Sequence, residues 1–208
     1  MINDVVDLNS GMNLVYGEGA TGKTTLTLML AYTYSKFSKV IFIDTENGFN
    51  FDRFKQIAKD DYELCLRNIL LLKVNSFEDQ EKKISNLVNT KEIALIIVDS
   101  LSNYYRLELK KDPKDTNAKM AEMLRILRNL NKENTKVILT SQVYNNFNTN
   151  KLESVGGNMV KRMCSFIFKL EKSPRKIVIE KPFETEYEFE IKDEGIVLRW
   201  FVLLSMLF

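Results

Sequence analysis

Residues 17–24 read Gly17-Glu18-Gly19-Ala20-Thr21-Gly22-Lys23-Thr24, a match to GxxxxGK[ST]. Its setting decides the fold. Met12–Tyr16 ahead of it is short, apolar and strand-like, and Lys23–Lys36 behind it reads as a helix. A glycine-rich turn between strand and helix lets backbone N–H groups curl around an anion at the positive end of the helix. Gly17, Glu18, Gly19, Ala20, Thr21 and Gly22 are therefore candidate phosphate binders. Lys23 is expected to meet the β- and γ-phosphates of ATP, and the Thr24 hydroxyl to ligate Mg²⁺. Thr25 is expected near the α-phosphate.

Outward from this turn the chain alternates strand-like and helix-like segments, the pattern of an α/β fold with a mostly parallel sheet. Val40–Asp44 (VIFID) predicts a second strand, Asn50–Asp60 a helix and Ile69–Val74 a third strand. Ser76 predicts the cap of a helix to about Asn89, with Asp79 in its first turn. Ala94–Asp99 (ALIIVD) is a continuous apolar run, as in strands buried on both faces. Lys110–Thr116 (KKDPKDT) predicts a polar break. Met120, Met123, Leu124, Leu127 and Leu130 after it follow helical spacing and predict a core face. Lys136–Ser141 predicts another strand, and Tyr144–Gly157, asparagine-rich and ending Gly156-Gly157, a long loop. FIFKL, KIVIE, YEFEI and IVLRW predict antiparallel strands extending one edge of the sheet.

Length and composition set bounds. A chain of 208 residues fits one domain spanning 1–208. Its 45% hydrophobic and 28% charged residues are ordinary for a globular protein. There is no histidine, which excludes imidazole acid–base chemistry and histidine-ligated metals. Cys65 and Cys164 form no CxxC pair; they read as small buried hydrophobes, and two lone thiols suit a reducing cytoplasm. No stretch reaches the ~18–20 apolar residues of a membrane span, so no membrane partner is expected. The apolar run from Trp200 to Phe208 reads as a last strand or packed helix, with an apolar patch for a partner as the alternative. The net charge of +2 neither favours nor excludes a nucleic acid.

Three side chains at strand ends complete the candidate chemistry. Asp99 closes the most hydrophobic strand, where a carboxylate can hold Mg²⁺. Glu46, after the second strand in IDTE, faces the ligand crevice expected of an open α/β sheet, where it can orient or deprotonate the attacking water. Asp44 is the competing carboxylate, closer to the buried strand and read as structural. Gln142 follows Thr140-Ser141 at a strand end; its neutral amide can bond a γ-phosphate and report nucleotide state to the loop beside it.

The P-loop, IFIDTENGF, LIIVDSLSNYYRLEL, VILTSQVY, the loop ending VGG and the closing FKLEK–KIVIEKPF–YEFEIKDEGI occur in the order seen in RecA/RadA-family recombinases. The chain resembles most the archaeal RadB paralogues, which are little more than the ATPase core. The resemblance covers nearly the whole chain and implies a RecA-like P-loop NTPase fold. It implies that Lys23, Glu46 and Gln142 act on ATP, with Glu46 the catalytic glutamate, Gln142 the γ-phosphate sensor and Arg53 packed near the adenine. It implies two DNA-binding loops near Asn103–Thr116, with Arg106, Lys110, Lys111 and Lys114, and Tyr144–Gly157, with Tyr144, Phe147 and Lys151. Cations there can neutralise phosphates and aromatics can stack on unpaired bases. Lys181 matches a cation that can reach a neighbouring subunit's nucleotide.

The sequence also departs from that pattern. Asn47 stands where a glycine is usual, and Glu18 where a small residue or proline is common. Only sixteen residues precede Gly17, so no separate N-terminal DNA-binding domain or polymerisation segment is expected. The implied role is a recombination mediator, binding DNA, single-stranded for preference, and turning over ATP weakly. Its protein partners would be a recombinase, polymerase, nuclease or second copy of itself. Two other readings stay open: a KaiC-like or other regulatory ATPase without DNA, and a non-catalytic ATP-binding subunit.

Overall fold

The computed structural model describes residues 11–132, 135–146 and 151–199. Eleven strands and seven α-helices are described. The strands are β1 (Met12–Gly17), β2 (Lys39–Asp44), β3 (Ile69–Lys73), β4 (Ile93–Asp99), β5 (Lys136–Ser141), β6 (Val143–Asn146), β7 (Lys151–Ser154), β8 (Cys164–Lys172), β9 (Arg175–Lys181), β10 (Thr185–Lys192) and β11 (Gly195–Arg199). The helices are α1 (Lys23–Ser35), α2 (Phe51–Ala58), α3 (Tyr62–Arg67), α4 (Phe77–Asn86), α5 (Asn103–Glu108), α6 (Pro113–Lys132) and α7 (Gly157–Met163).

Nine strands form one sheet in the order β11-β10-β9-β8-β1-β5-β4-β2-β3. From β3 across to β8 every pairing is parallel. From β8 outward the pairings to β9, β10 and β11 are antiparallel. This is the expected mostly parallel sheet with an antiparallel wing at its C-terminal end. Alternate residues of the central strands feed two cores, as the period of two requires. Val40, Phe42, Leu95 and Ile97 join α1, α2 and α3 on one face. Ile41, Ile43, Ile96 and Val98 join α4, α5, α6 and α7 on the other. The stripe Met120, Met123, Leu124, Leu127 and Leu130 is buried there, as its spacing predicts.

Local chemistry sets the helix ends. The Ser76 hydroxyl accepts from the Asp79 N–H at 3.1 Å, the predicted cap, and α4 continues as a short 3₁₀ turn to Asn89. The helix predicted over Asn50–Asp60 stops at Ala58, where Lys59 takes a positive φ of 50°, and α3 follows at Tyr62. The Lys110–Thr116 break is shorter than predicted. Pro113 is the first residue of α6, where a missing N–H costs nothing, and Asp112 accepts from the N–H groups of Lys114 and Asp115. Lys114 therefore stands in the first turn of α6, and Arg106 on α5, rather than on a loop. Tyr144–Gly157 is no open loop either. β6 and β7 pair antiparallel from Val143↔Ser154 to Asn146↔Lys151, and Gly157 opens α7. Cys65 and Cys164 are buried and unpaired, as read from the sequence. The residues from Trp200 to Phe208 lie outside the described residues, as does Phe147.

Candidate functional site

The parallel strands β1, β4, β2 and β5 end on one edge of the sheet, and their carboxyl ends deliver side chains to one place. A cavity of about 560 Å³ opens there, lined among others by Glu18, Lys23, Thr24, Glu46, Asp99 and Gln142. Parallel α/β sheets place ligands at this edge. Gly19, Ala20, Gly22 and Thr25 line it as well.

The turn from β1 into α1 needs unusual backbone. Gly22, the residue before α1, has φ 106°, and Ala20 has φ 62°. Gly17 is demanded by a different contact: a Cβ there would lie 2.3 Å from the Leu170 carbonyl oxygen of β8. The Lys23 ammonium donates to the carbonyls of Gly17 at 2.9 Å and Glu18 at 2.7 Å, so it spans the turn from inside. Burial holds its pKa below the ordinary lysine value, against the opposing pull of Glu46, Asp99 and Glu18. A nearby anion would stabilise the charged form of such a buried lysine. Outside the turn, Glu18 turns to Lys172 at 3.3 Å, and the Arg175 guanidinium donates to the Ala20 carbonyl at 3.1 Å.

Asp99 is almost wholly buried. Burial pushes its carboxyl above the ordinary aspartate value; the hydroxyls of Thr140 and Thr24 oppose the rise, while Glu46 and Asp44 add to it. Thr140 donates to Oδ1, and Oδ2 has no hydrogen-bond partner. A buried carboxylate oxygen without a donor is costly. The Thr24 hydroxyl lies on the same side: a Cβ on Gly48 would stand 3.5 Å from Thr24 Oγ1 and 3.8 Å from Asp99 Oδ2. A hydroxyl and a carboxylate oxygen suit Mg²⁺, which takes few protein ligands and fills its shell with phosphate and water. The residues present therefore fit that ion.

The second strand's end separates the two acidic candidates. Asp44 is buried and accepts from the N–H groups of Glu46, Gly48 and Phe49 at 3.2, 2.9 and 3.0 Å. It folds the turn that carries Glu46. Asn47 in that turn takes φ 54°, which asparagine tolerates better than most residues. Glu46 Oε1 accepts from the Ser100 hydroxyl and from Gln142 Nε2, the latter at 2.9 Å. Gln142 is fixed through its backbone: its N–H donates to the Ser102 hydroxyl, and its carbonyl accepts from Val155 N–H, each at 2.9 Å. The β6–β7 hairpin rises directly from it, and Val143, Tyr144, Asn145 and Leu152 line the cavity wall.

The remaining candidates lie further out. Arg53 is not among the cavity's lining; its guanidinium donates to the carbonyls of Lys192 and Asp193 at the β10–β11 turn. Ile191, beside that turn, does line the cavity. Arg106 on α5, Lys110 and Lys111 in the turn after it and Lys114 at the start of α6 are exposed, with Lys111 paired to Glu108 at 2.9 Å. Tyr144 is exposed on β6, its hydroxyl bonded to Glu153. Lys151 is described by its backbone alone. Lys181 donates to the Lys161 carbonyl within the same chain. Sequence reasoning missed Ser100 and Thr140, whose hydroxyls donate to Glu46 and Asp99, and Thr45, whose hydroxyl holds the Ser100 backbone. In sequence they are only hydroxyl residues at strand ends, in DTE, VDS and LTSQ, with nothing to say which groups they meet.

The Rad51 family model matches residues 8–198. The DNA repair and recombination protein RadB of Methanococcoides burtonii is 34% identical over 195 residues, 88% of this chain and 86% of that protein. The protein of the same name from Thermococcus sibiricus is 35% identical over 195 residues, 88% of this chain and 84% of its own. A crystal structure described as the RadB recombinase shares the fold with a TM-score of 0.75 at 30% identity, covering 89% of each chain. A match of this extent, on a sheet whose strand ends meet at a phosphate-type turn, means that the chain belongs to the Rad51 family and stands beside the RadB proteins.

Proposed function

We propose that the chain is an ATP-dependent DNA-binding protein of recombination and repair, a recombinase paralogue or mediator with slow ATP turnover. One observation carries the reading: Gln142 bonds the candidate base, Glu46, with its side chain, while its backbone forms the foot of the hairpin. A group so placed links the fate of a γ-phosphate to the hairpin's position. The names of the RadB relatives and the family match support the recombination setting.

In this mechanism the backbone amides of the Gly17–Thr24 turn grip the phosphates, and Lys23 leaves its carbonyl partners for the β- and γ-phosphates. Thr24 and Asp99 would hold Mg²⁺, and the ion would supply neutralisation of negative charge at the phosphates. Glu46 orients or deprotonates the attacking water, a role worth ~10²–10⁴-fold. Gln142 turns its amide to the γ-phosphate and resets the hairpin. Single-stranded DNA is the proposed ligand of the hairpin and of the α5–α6 cations. Backbone phosphates would meet Arg106, Lys110, Lys111 and Lys114, and bases would stack on Tyr144. Lys151 and Phe147 belong to the same proposal. A second copy of the chain, or a recombinase, polymerase or nuclease, is the proposed protein partner.

The test is fluorescence anisotropy of a labelled single strand with and without a non-hydrolysable ATP analogue, at several salt concentrations. Tighter binding with the analogue, weakening with salt, and loss of the nucleotide effect in Lys23→Ala are expected. Affinity indifferent to both nucleotide and salt would reject the reading.

A further inference from the structure

Glu46 is held by two donors, and the two are anchored very differently. Both converge on the same oxygen, Oε1: the Ser100 hydroxyl and the Gln142 amide. Oε2 accepts from neither. Gln142 reaches Glu46 from the foot of the hairpin with a side chain open to the cavity. Ser100 is fully buried.

Ser100 is also clamped from both sides by a single residue. Its N–H donates to the Thr45 hydroxyl at 2.9 Å, and its carbonyl accepts from that same hydroxyl at 2.8 Å. Thr45 is fixed in turn, its N–H donating to the Asp99 carbonyl at 2.9 Å and its carbonyl accepting from Asn103 Nδ2 at 2.6 Å. Leu101, next along, donates to the Thr140 carbonyl at 2.9 Å. The ends of β2, β4 and β5 are thus stitched together immediately around the Ser100 side chain. The acceptor is equally constrained, since Asp44 caps the N–H of Glu46 itself. A hydroxyl that serves only its own burial needs any acceptor; this one meets a cavity-lining carboxylate whose backbone belongs to the same rigid frame.

We propose that Ser100 is a positioning residue for Glu46, a view that rests on the base role given to Glu46 above. The Gln142 bond is the exchangeable one, surrendered when the amide turns to a γ-phosphate. Ser100 stays, and keeps Oε1 engaged so that Oε2 faces the attacking water in one orientation. Rotational freedom of a base is costly to turnover, because only the near-attack arrangement reacts.

The experiment is a double-mutant cycle on the full chain, with Ser100→Ala, Glu46→Gln and the pair, read by single-turnover ATP hydrolysis, ATP-analogue affinity and the Mg²⁺ concentration for half-maximal binding. Ser100→Ala is expected to slow hydrolysis about tenfold, leave both binding constants within twofold, and cost nothing further in the Glu46→Gln background. An unchanged rate in Ser100→Ala, with Glu46→Gln impaired, overturns the proposal and spares the base. An undiminished Ser100→Ala effect in the Glu46→Gln background overturns it as well, since Ser100 would then act by another route. Weakened Mg²⁺ binding would mark a general role in shaping the Asp99 strand end and would also overturn it. Full hydrolysis in Glu46→Gln removes the base assignment and this proposal together. Ser100→Cys, close in shape with a weaker donor, carries the same cycle at smaller amplitude should the alanine variant melt below assay temperature.

Discussion

Gly17 and Gly19 belong to one motif but answer to different neighbours. A side chain at 17 would strike the Leu170 carbonyl of β8, a backbone atom that cannot step aside, whereas one at 19 meets nothing within 4 Å. Gly17→Ala is expected to destabilise the fold by on the order of 3 kcal/mol. Gly19→Ala should melt within about 0.5 kcal/mol of the parent. Urea titration of the two variants without nucleotide checks this. Asp99 makes a pH prediction. Its carboxyl titrates above the ordinary value of 3.8, because burial disfavours the anion. Between the unfolded and folded values the native chain binds more protons than the unfolded one, so stability falls as pH rises. That contribution is complete below 3.8 and lost as pH climbs through the raised folded value. Mg²⁺ requires the ionised form, so the melting-temperature gain from Mg²⁺ with ATP is expected to grow over the same rise. Asp99→Asn should flatten both trends in thermal melts across pH.

The elements differ in how readily they could be read. β2 and β4 announce themselves as apolar runs, and α6 by a stripe sustained over several turns. α3, α5 and α7 have six or seven residues each, too short for a periodic signal. They persist through tertiary contacts such as Tyr105, buried on α5 with its hydroxyl on Asn117 of α6. The same limit hid the β6–β7 hairpin, whose strands are four residues long and rich in asparagine and charge. Among the candidate site residues, Lys23, Thr24, Glu46, Asp99 and Gln142, which line one cavity, could be singled out because each sits in or just after a strand-end motif. The brace of Thr45, Ser100 and Thr140 could not, because it exists only once three strands lie side by side. A second cross-element contact ties β1, the strand before the glycine-rich turn, to the wing. The Tyr16 hydroxyl of β1 donates to Glu180 of β9, and Lys161 of α7 bonds Glu180 at 2.7 Å and lies over the Tyr16 ring. Burial and the Glu180 carboxylate raise the Tyr16 pKa far above the ordinary tyrosine value. Tyr16→Phe is expected to cost about 1 kcal/mol in chemical denaturation, the worth of a partly buried hydrogen bond, without changing ATP affinity.

Over the whole molecule, alternation of strands and helices foretold the parallel sheet, and four closing strands foretold the wing. Strand order was beyond reach, since it depends on which helices cross which face. The charges proposed for DNA stand apart from the cavity, on α5, the turn after it and the start of α6. Changing Lys110 and Lys111 together to Ala is expected to reduce the slope of log affinity against log salt by about 1–2, while nucleotide affinity stays constant. Because Lys111 already pairs with Glu108, most of the change should follow Lys110. Titrations of single-stranded DNA at graded salt resolve the two contributions.

The hairpin's geometry has a mechanical consequence. Its two strands are paired from Val143↔Ser154 to Asn146↔Lys151, so any movement in the proposed cycle would carry it as a stiff arm about the Gln142–Val155 bond. Four residues of strand make an arm of ~13 Å. A tilt of about 5° at its base, small enough for one amide to change partner, carries the far end through ~1 Å. In the proposed cycle the loss of one phosphate would thereby be geared up into a displacement at the arm's outer end.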